Sequence, residues 1–202
     1  MRKEKLEELN RLMDKYKTIS KTEEVQRGDS FITVHEAKYT LNNGAIISRD
    51  RIMKNHLNGS SCNVLPLTKE GNAILVVQPR VHVESGVGVE IPAGLCENSE
   101  DLLVTCKREL EEETGYTTSD DKFIKLVSCY QDEGCSSAIS TFYLALDCEK
   151  VTEQHLDSDE YIDLFECTLD EAYELIDLGY IRGAFTILNL DKAKQYLEKM
   201  NK

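Results

Sequence analysis

The sequence predicts an alpha/beta/alpha sandwich built on a central mixed sheet, with a small helix and an antiparallel hairpin added at the N-terminus. Three observations carry that prediction. Short runs with strand character recur between Asn63 and Cys167, bounded by Gly, Pro, Asn and Asp. Helical patterns interrupt and follow them, so helices are available to cover both faces of the sheet. Upstream, Asn43-Gly44 lies between two strand-like stretches, and Asn-Gly is the strongest short-range signal for a two-residue hairpin turn.

Residues 3–17 place Leu6, Leu9, Leu12, Met13 and Tyr16 on one broad stripe, the pattern of an amphipathic helix. Phe31 to Leu41 alternates as a strand, and Ala45 to Met53 returns as its hairpin partner. The stretch Leu57-Asn58-Gly59-Ser60-Ser61 marks a break, dividing an N-terminal segment, 1–57, from a main domain, 58–202. Strands follow at Asn63 to Leu67, Ala73 to Pro79 and Val87 to Ile91. Pro92-Ala93-Gly94 ends the last of these, Asn98 or Ser99 can cap a helix beginning near Glu100, and Gly115 stops it. Further strands are expected at Phe123 to Tyr130, Ile139 to Leu146 and Ile162 to Cys167. Helices at Leu169 to Leu178, ended by Gly179, and at Asp191 to Met200 complete the chain. No internal repeat, low-complexity tract or long linker is evident.

The tail of the helix before Gly115 is chemically unusual. Glu109, Glu112 and Glu113 fall on one narrow arc at roughly 100° per residue, while Glu111 points away. The C-terminal end of a helix is the negative end of its dipole, and like charges three or four residues apart repel. A divalent cation with oxygen ligands reverses the sign of that repulsion, and Mg2+ is the usual ion where phosphate oxygens and water complete the shell. An isolated acidic run of this kind is more often a solvated face. Leu102, Leu103, Cys106 and Leu110 adjoin the arc and can pin the helix to a sheet while the carboxylates face a cleft.

Context upstream decides between these readings. Gly94 is followed by Glu100, then by Arg108-Glu109-Leu110, Glu112-Glu113 and Gly115-Tyr116, at the spacing of a known signature. In these residues the chain resembles the Nudix hydrolases, with Tyr116 replacing the more usual aliphatic residue. The resemblance implies an alpha/beta/alpha fold, Mg2+ (or Mn2+) held by Glu109, Glu112, Glu113 and the Ala93 carbonyl, and a loop in which Glu100 and Arg108 brace the helix. Gly94 lets the backbone pass close to the metal, and Gly115 closes the motif.

Composition fits a small-molecule enzyme. A formal net charge of -13 argues against DNA or RNA held on a basic stripe, but not against a small phosphorylated ligand bridged by a cation. Seven cysteines, an odd number without a C-x-x-C pair, point to reduced thiols in the cytoplasm rather than a disulfide framework or structural zinc. The charged start Met1-Arg2-Lys3-Glu4-Lys5 lacks the apolar core of a signal peptide, and no membrane segment is expected. His35, His56, His82 and His155 share no ligand spacing.

Beyond the signature, the chain looks like the ADP-ribose pyrophosphatase branch, which acts on nucleoside diphosphate sugars. The hairpin, Val76-Val77-Gln78-Pro79-Arg80, Glu90-Ile91-Pro92-Ala93-Gly94, the acidic loop Asp157-Ser158-Asp159-Glu160 and the Leu169-Asp170-Glu171-Ala172 helix stand in the expected order. The resemblance implies a homodimer through the N-terminal segment, which contributes to the partner's substrate pocket. It also names Glu160 as first candidate for general base, with Glu112 second. Arg51 and Arg80 are candidate phosphate or ribose contacts or else surface ion pairs, and Glu90 is placed to face the same cleft. One departure bears on substrate: Gln131-Asp132-Glu133-Gly134 replaces a Ser-Pro-Gly type loop, so Glu133 becomes a candidate sugar contact, or part of a solvated turn. That departure leaves GDP-mannose open beside ADP-ribose. Nucleoside triphosphates or dinucleotides are the alternatives within the enzymes, and a nucleotide-sensing module the alternative outside them.

Overall fold

A computed structural model describes residues 2–17, 31–54, 58–96 and 100–200 of the chain. In order, its elements are α1 (Lys3–Lys17), β1 (Ile32–Thr40), β2 (Ile46–Lys54), β3 (Ser61–Thr68), β4 (Asn72–Pro79), β5 (Val87–Glu90) and β6 (Ala93–Leu95). After them come α2 (Leu102–Thr114), β7 (Tyr116–Thr117), a 3-10 turn at Asp120–Lys122, β8 (Phe123–Tyr130), β9 (Ile139–Lys150), β10 (Asp163–Thr168), α3 (Leu169–Asp177) and α4 (Ala184–Met200).

Every residue of β3 is buried, as the middle of a sheet covered on both faces requires. β3 pairs in parallel with β9 and antiparallel with β4 and β6, while β10 and β5 pair with β4, and β7 and β8 pair with β9. The sheet is therefore mixed, and the period-two alternation of its strands divides the core. Cys62 and Val64 of β3 meet Tyr143 of β9 and Cys106 and Leu110 of α2 on one face. Leu65 and Leu67 point the other way, into a cluster with Leu75, Phe165, Leu175 of α3 and Leu190 of α4. Leu9 and Met13 of α1 are buried in that same cluster. With α2 alone on one face and α1, α3 and α4 on the other, the expected sandwich is found, and β1–β2 forms a separate two-stranded sheet.

Several boundaries differ from the sequence reading. The hairpin loop has three residues, Asn42 to Gly44, rather than two, closed by the Leu41 N–H donating to the Ala45 carbonyl at 2.8 Å. The Gly44 N–H donates to the Leu41 carbonyl, and Gly44 takes φ +82°, the left-handed region open to glycine. α2 begins at Leu102 with Asp101 as its cap, the Asp101 side chain accepting from the Leu103 N–H at 2.8 Å. The expected caps Asn98 and Ser99 lie outside the described residues. α4 starts at Ala184, well ahead of the expected Asp191. The stretch Phe185 to Leu190 hides the helical period because its polar residues, Thr186 and Asn189, are themselves buried, and α4 lies against β3, β8 and β9. The short strands β6 and β7 are too brief to show any periodicity.

Candidate active site

The strand, bend and helix that surround Gly94 are fixed by backbone bonds. The Val64 N–H donates to the Pro92 carbonyl at 3.0 Å, the Ile91 N–H to Thr186 Oγ1 at 3.3 Å, and β6 pairs with β3 so that Gly94 stands opposite Cys62. α2 rests on this platform through Cys106 and Leu110, both fully buried. Its glutamates are thereby sorted: Glu111 is exposed, Glu109 and Glu112 are half-buried, and Glu113 is buried.

Gly94 and Glu109 are in intimate contact. A Cβ on Gly94 would fall 1.9 Å from both the carboxyl carbon and Oε1 of Glu109. Beside them, Glu113 Oε2 accepts the Ala93 N–H at 3.2 Å. Burial pushes the Glu113 carboxyl well above the usual carboxylate range, and the charges of Glu109 and Glu160 add to the push against the Ala93 N–H. Burial likewise raises Glu109; Arg108 opposes the shift and Glu112 reinforces it. Two acidic side chains thus stand side by side where negative charge is unfavourable.

Arg108 touches three carboxylates, Glu100 among them. Its guanidinium lies 2.8 Å from Glu112, 3.0 Å from Glu109 and 3.7 Å from Glu100, while the Thr105 hydroxyl donates to Glu100 at 2.7 Å. Glu112 is held by Arg108, and among the described residues no group of three or more His, Cys, Asp or Glu side chains is arranged to hold a metal ion. The donor chemistry nevertheless fits a hard divalent cation: the groups are oxygen-only, mutually repelling and partly desolvated. At Ala93 it is the N–H that engages Glu113; its carbonyl is the oxygen that could join such a set.

Glu160 reaches this neighbourhood through a loop zipped onto the end of α2. The Gly115 carbonyl accepts N–H groups from Val151 at 2.9 Å and Thr152 at 3.2 Å, the Glu112 carbonyl accepts His155 N–H at 2.8 Å, and Gln154 Nε2 donates to the Glu113 carbonyl at 2.7 Å. Carbonyls that a helix end leaves unpaired are satisfied by this segment. Glu160 itself turns back on its loop, Oε2 accepting the Asp157 N–H at 3.1 Å, yet its charge still acts on Glu109 and Glu113.

A cleft of about 560 Å3 opens beside Ala93 and Gly94, and it contains Arg80 and Glu90. The two are joined by a fork, Nε to Oε1 at 2.8 Å and Nη2 to Oε2 at 2.7 Å, folded over Gly88, where a Cβ would lie 2.0 Å from Glu90 Oε1. Arg51 and Glu133 are not brought into this cleft. They line a second one of about 510 Å3 between β2 and the 133–137 turn, with Arg51 Nη2 at 3.5 Å from Ser137 Oγ. Asp132 of the same turn is used locally, accepting the Gly134 N–H at 3.1 Å.

Sequence reasoning missed Phe31, Lys54, Asn63 and Phe185 on the cleft wall. None lies in a motif; strand ends and a helix start bring them together. Gln131 stands out in the sequence only as a departure. Its Nε2 donates to the Gly59 carbonyl at 2.9 Å and Ser140 Oγ at 3.1 Å, and its Oε1 accepts Lys54 Nζ at 3.0 Å, tying the hairpin to the main sheet.

Residues 58–186 match the family model for the NUDIX domain. An ADP-ribose pyrophosphatase of Bacillus subtilis (strain 168) is 38% identical over 136 residues, 67% of this chain and 70% of that protein. The methanol dehydrogenase activator of Bacillus methanolicus is 39% identical over the same shares of each chain. GDP-mannose pyrophosphatase of Escherichia coli (strain K12) is 31% identical over 172 residues, 81% and 88% of the two chains. In fold, the chain superposes on a crystal structure of an ADP compounds hydrolase with a TM-score of 0.73 at 19% identity, covering 88% of this chain and 92% of that one. The signature on its platform, the sandwich and these matches together show that the chain belongs to the Nudix hydrolase family.

Proposed function

We propose that the protein hydrolyses the diphosphate bond of a nucleoside diphosphate sugar of the ADP-ribose kind, giving a nucleoside monophosphate and a sugar phosphate. The observation that carries this reading is the pair of Glu109, half-buried across Gly94, and Glu113, buried on the Ala93 N–H, at the edge of a cleft that also holds Arg80. Glu109, Glu113, the Ala93 carbonyl and, once released from Arg108, Glu112 would hold Mg2+, with Mn2+ the alternative. When bound, the ion neutralises charge on the diphosphate oxygens and polarises the attacking water. Arg80 offers a planar fork to the same oxygens, exchanging Glu90 for phosphate. Glu160 takes the proton of the attacking water onto its carboxylate, with Glu112 the second candidate.

Arg51 and Glu133 would act from the second cleft, which a second copy of the chain can bring to the substrate. The face of β1–β2 supports such a dimer: Val34 is 64% and Ile46 70% exposed, unusual for large apolar residues on a strand. We place the boundary between this dimer element and the catalytic domain at residues 57/58. Among the described residues no helix is long and apolar enough to cross a membrane, and the free thiols suit the cytoplasm.

A second substrate reading, GDP-mannose, is favoured by the Gln131–Gly134 departure and by the relative named for that activity. Nucleoside monophosphate release from ADP-ribose, GDP-mannose, dinucleotides and triphosphates, with Mg2+, Mn2+ or chelator, tests both. Cleavage of sugar nucleotides alone is expected. Tight binding without cleavage of any of them replaces the enzyme with a nucleotide sensor.

A further inference from the structure

The loop that carries Glu160 is fastened across its two ends by one side chain. Gln154 Nε2 donates to the Glu113 carbonyl at 2.7 Å, in the last turn of α2, and to the Ile162 carbonyl at 3.2 Å, just before β10 begins. A carboxamide nitrogen carries two N–H groups, so one group spans both sites with its full donor complement. Resting on the assignment of Glu160 as general base, we propose that Gln154 is a positioning residue that sets where the Glu160 carboxylate stands relative to Glu109 and Glu113.

The two legs of the loop are held differently. The first leg is bound to α2 by main chain, through Val151 and Thr152 on the Gly115 carbonyl and His155 on the Glu112 carbonyl. The second leg has no such zipper. Among the described residues no other hydrogen bond draws residues 156–162 toward α2. The loop's internal bonds, Asp157 N–H to Glu160 Oε2 at 3.1 Å and Glu160 N–H to the Asp157 carbonyl at 3.0 Å, make its tip a local turn closed on itself. Gln154 therefore fixes the span between the legs, and with it the approach of that turn to the motif helix. The plain alternative, a side chain that only satisfies helix-end carbonyls, predicts lost stability without a selective loss of turnover.

Two substitutions separate these. Gln154→Met keeps the length and removes both donors; Gln154→Asn keeps the donors one methylene short. Each is made in the full chain, alone and with Glu160→Gln, and kcat, KM and Tm are measured with Mg2+ on ADP-ribose, or on GDP-mannose where that is cleaved faster. Glu160→Gln alone is expected to lower kcat about 10²- to 10⁴-fold, as for a lost general base. Either Gln154 variant is expected to lower kcat about 10- to 100-fold with KM little changed, the scale of an ångström-sized misplacement. Added to Glu160→Gln, neither should lower kcat further, because a misplaced base that is already absent has nothing more to lose. Full multiplication of the two effects, unchanged kcat in both Gln154 variants, or loss of fold in both overturns the positioning role while leaving Glu160 as base. Wild-type kcat in Glu160→Gln overturns the base assignment itself.

Discussion

Glu109 lies across the α-carbon of Gly94, so closely that a Cβ there would sit 1.9 Å from its carboxyl carbon. The clashing atoms are the far end of a flexible side chain, and Gly94 is not among the glycines with positive φ. Gly94→Ala is therefore expected to fold with a Tm near that of the wild type, since Glu109 can swing aside. Its kcat should fall about 100-fold or more, because the displaced carboxylate no longer stands at the cleft. A normal kcat in a folded Gly94→Ala protein would separate Glu109 from the chemistry.

Gly115 presents the opposite case. It holds φ +74° as the left-handed cap of α2, and a Cβ would meet the Thr152 carbonyl oxygen, a main-chain atom, at 2.2 Å. Neither strain nor clash can be relieved by rotating a side chain. Gly115→Ala should lower stability by about 2–3 kcal/mol, combining left-handed strain with displacement of the 151–155 segment. Denaturant unfolding measures this directly. A loss under about 0.5 kcal/mol, the range of ordinary surface changes, would show that the segment yields easily.

Glu113 is buried with its carboxyl pushed far upward by burial and by Glu109, so in the metal-free protein its charge is a liability. A carboxamide in its place can still accept the Ala93 N–H while removing that charge. Glu113→Gln is expected to raise the metal-free Tm, to abolish the further rise that Mg2+ is expected to give the wild type through ligand linkage, and to leave little hydrolysis. Glu112→Gln should lose activity comparably with a smaller change in metal-free Tm, because Glu112 is already compensated by Arg108. Thermal melts with and without Mg2+ decide this independently of substrate; an undiminished Mg2+ shift in Glu113→Gln would move the ion elsewhere.

How much of this was legible in the sequence follows from the range of the interactions. The strand, bend and helix around Gly94 could be read because local residues encode them within one short stretch, Val87 to Tyr116, as could the sector that pins Cys106 and Leu110 to the sheet. The role of Arg108 could be only half read: its neighbours Glu109 and Glu112 compete with Glu100, and spacing does not say which wins. Long-range closure was out of reach. Gln154 on the Glu113 carbonyl spans 41 residues and Gln131 on the Gly59 carbonyl spans 72, and neither glutamine sits in a pattern that announces a partner. The separation of Arg51 from Arg80 has the same origin, since the hairpin stands apart from the main sheet and its position follows from tertiary contacts alone.

The pH dependence of folding can be tested away from the candidate site, at Glu171. There Thr168 caps α3 in a reciprocal box: the Thr168 hydroxyl accepts the Glu171 N–H at 3.2 Å, and Glu171 Oε2 accepts the Thr168 N–H at 3.1 Å. Burial alone would raise this carboxyl, but N–H groups of Thr168 and Arg2 and the Thr168 hydroxyl outweigh it, and the net shift is downward. A carboxyl held below its unfolded value, about 4.3 for glutamate, stabilises the fold fully above that pH and loses the contribution as pH falls through the lowered value. Glu171→Ala should therefore cost about 1 kcal/mol at pH 7, a Tm drop of about 2–4 °C for a chain of this size. The difference from wild type should shrink once pH falls below about 4. Melting curves between pH 3 and pH 7 check the sign: a gap that stays constant would mean that Glu171 acts by packing, and one that widens in acid would contradict the downward shift.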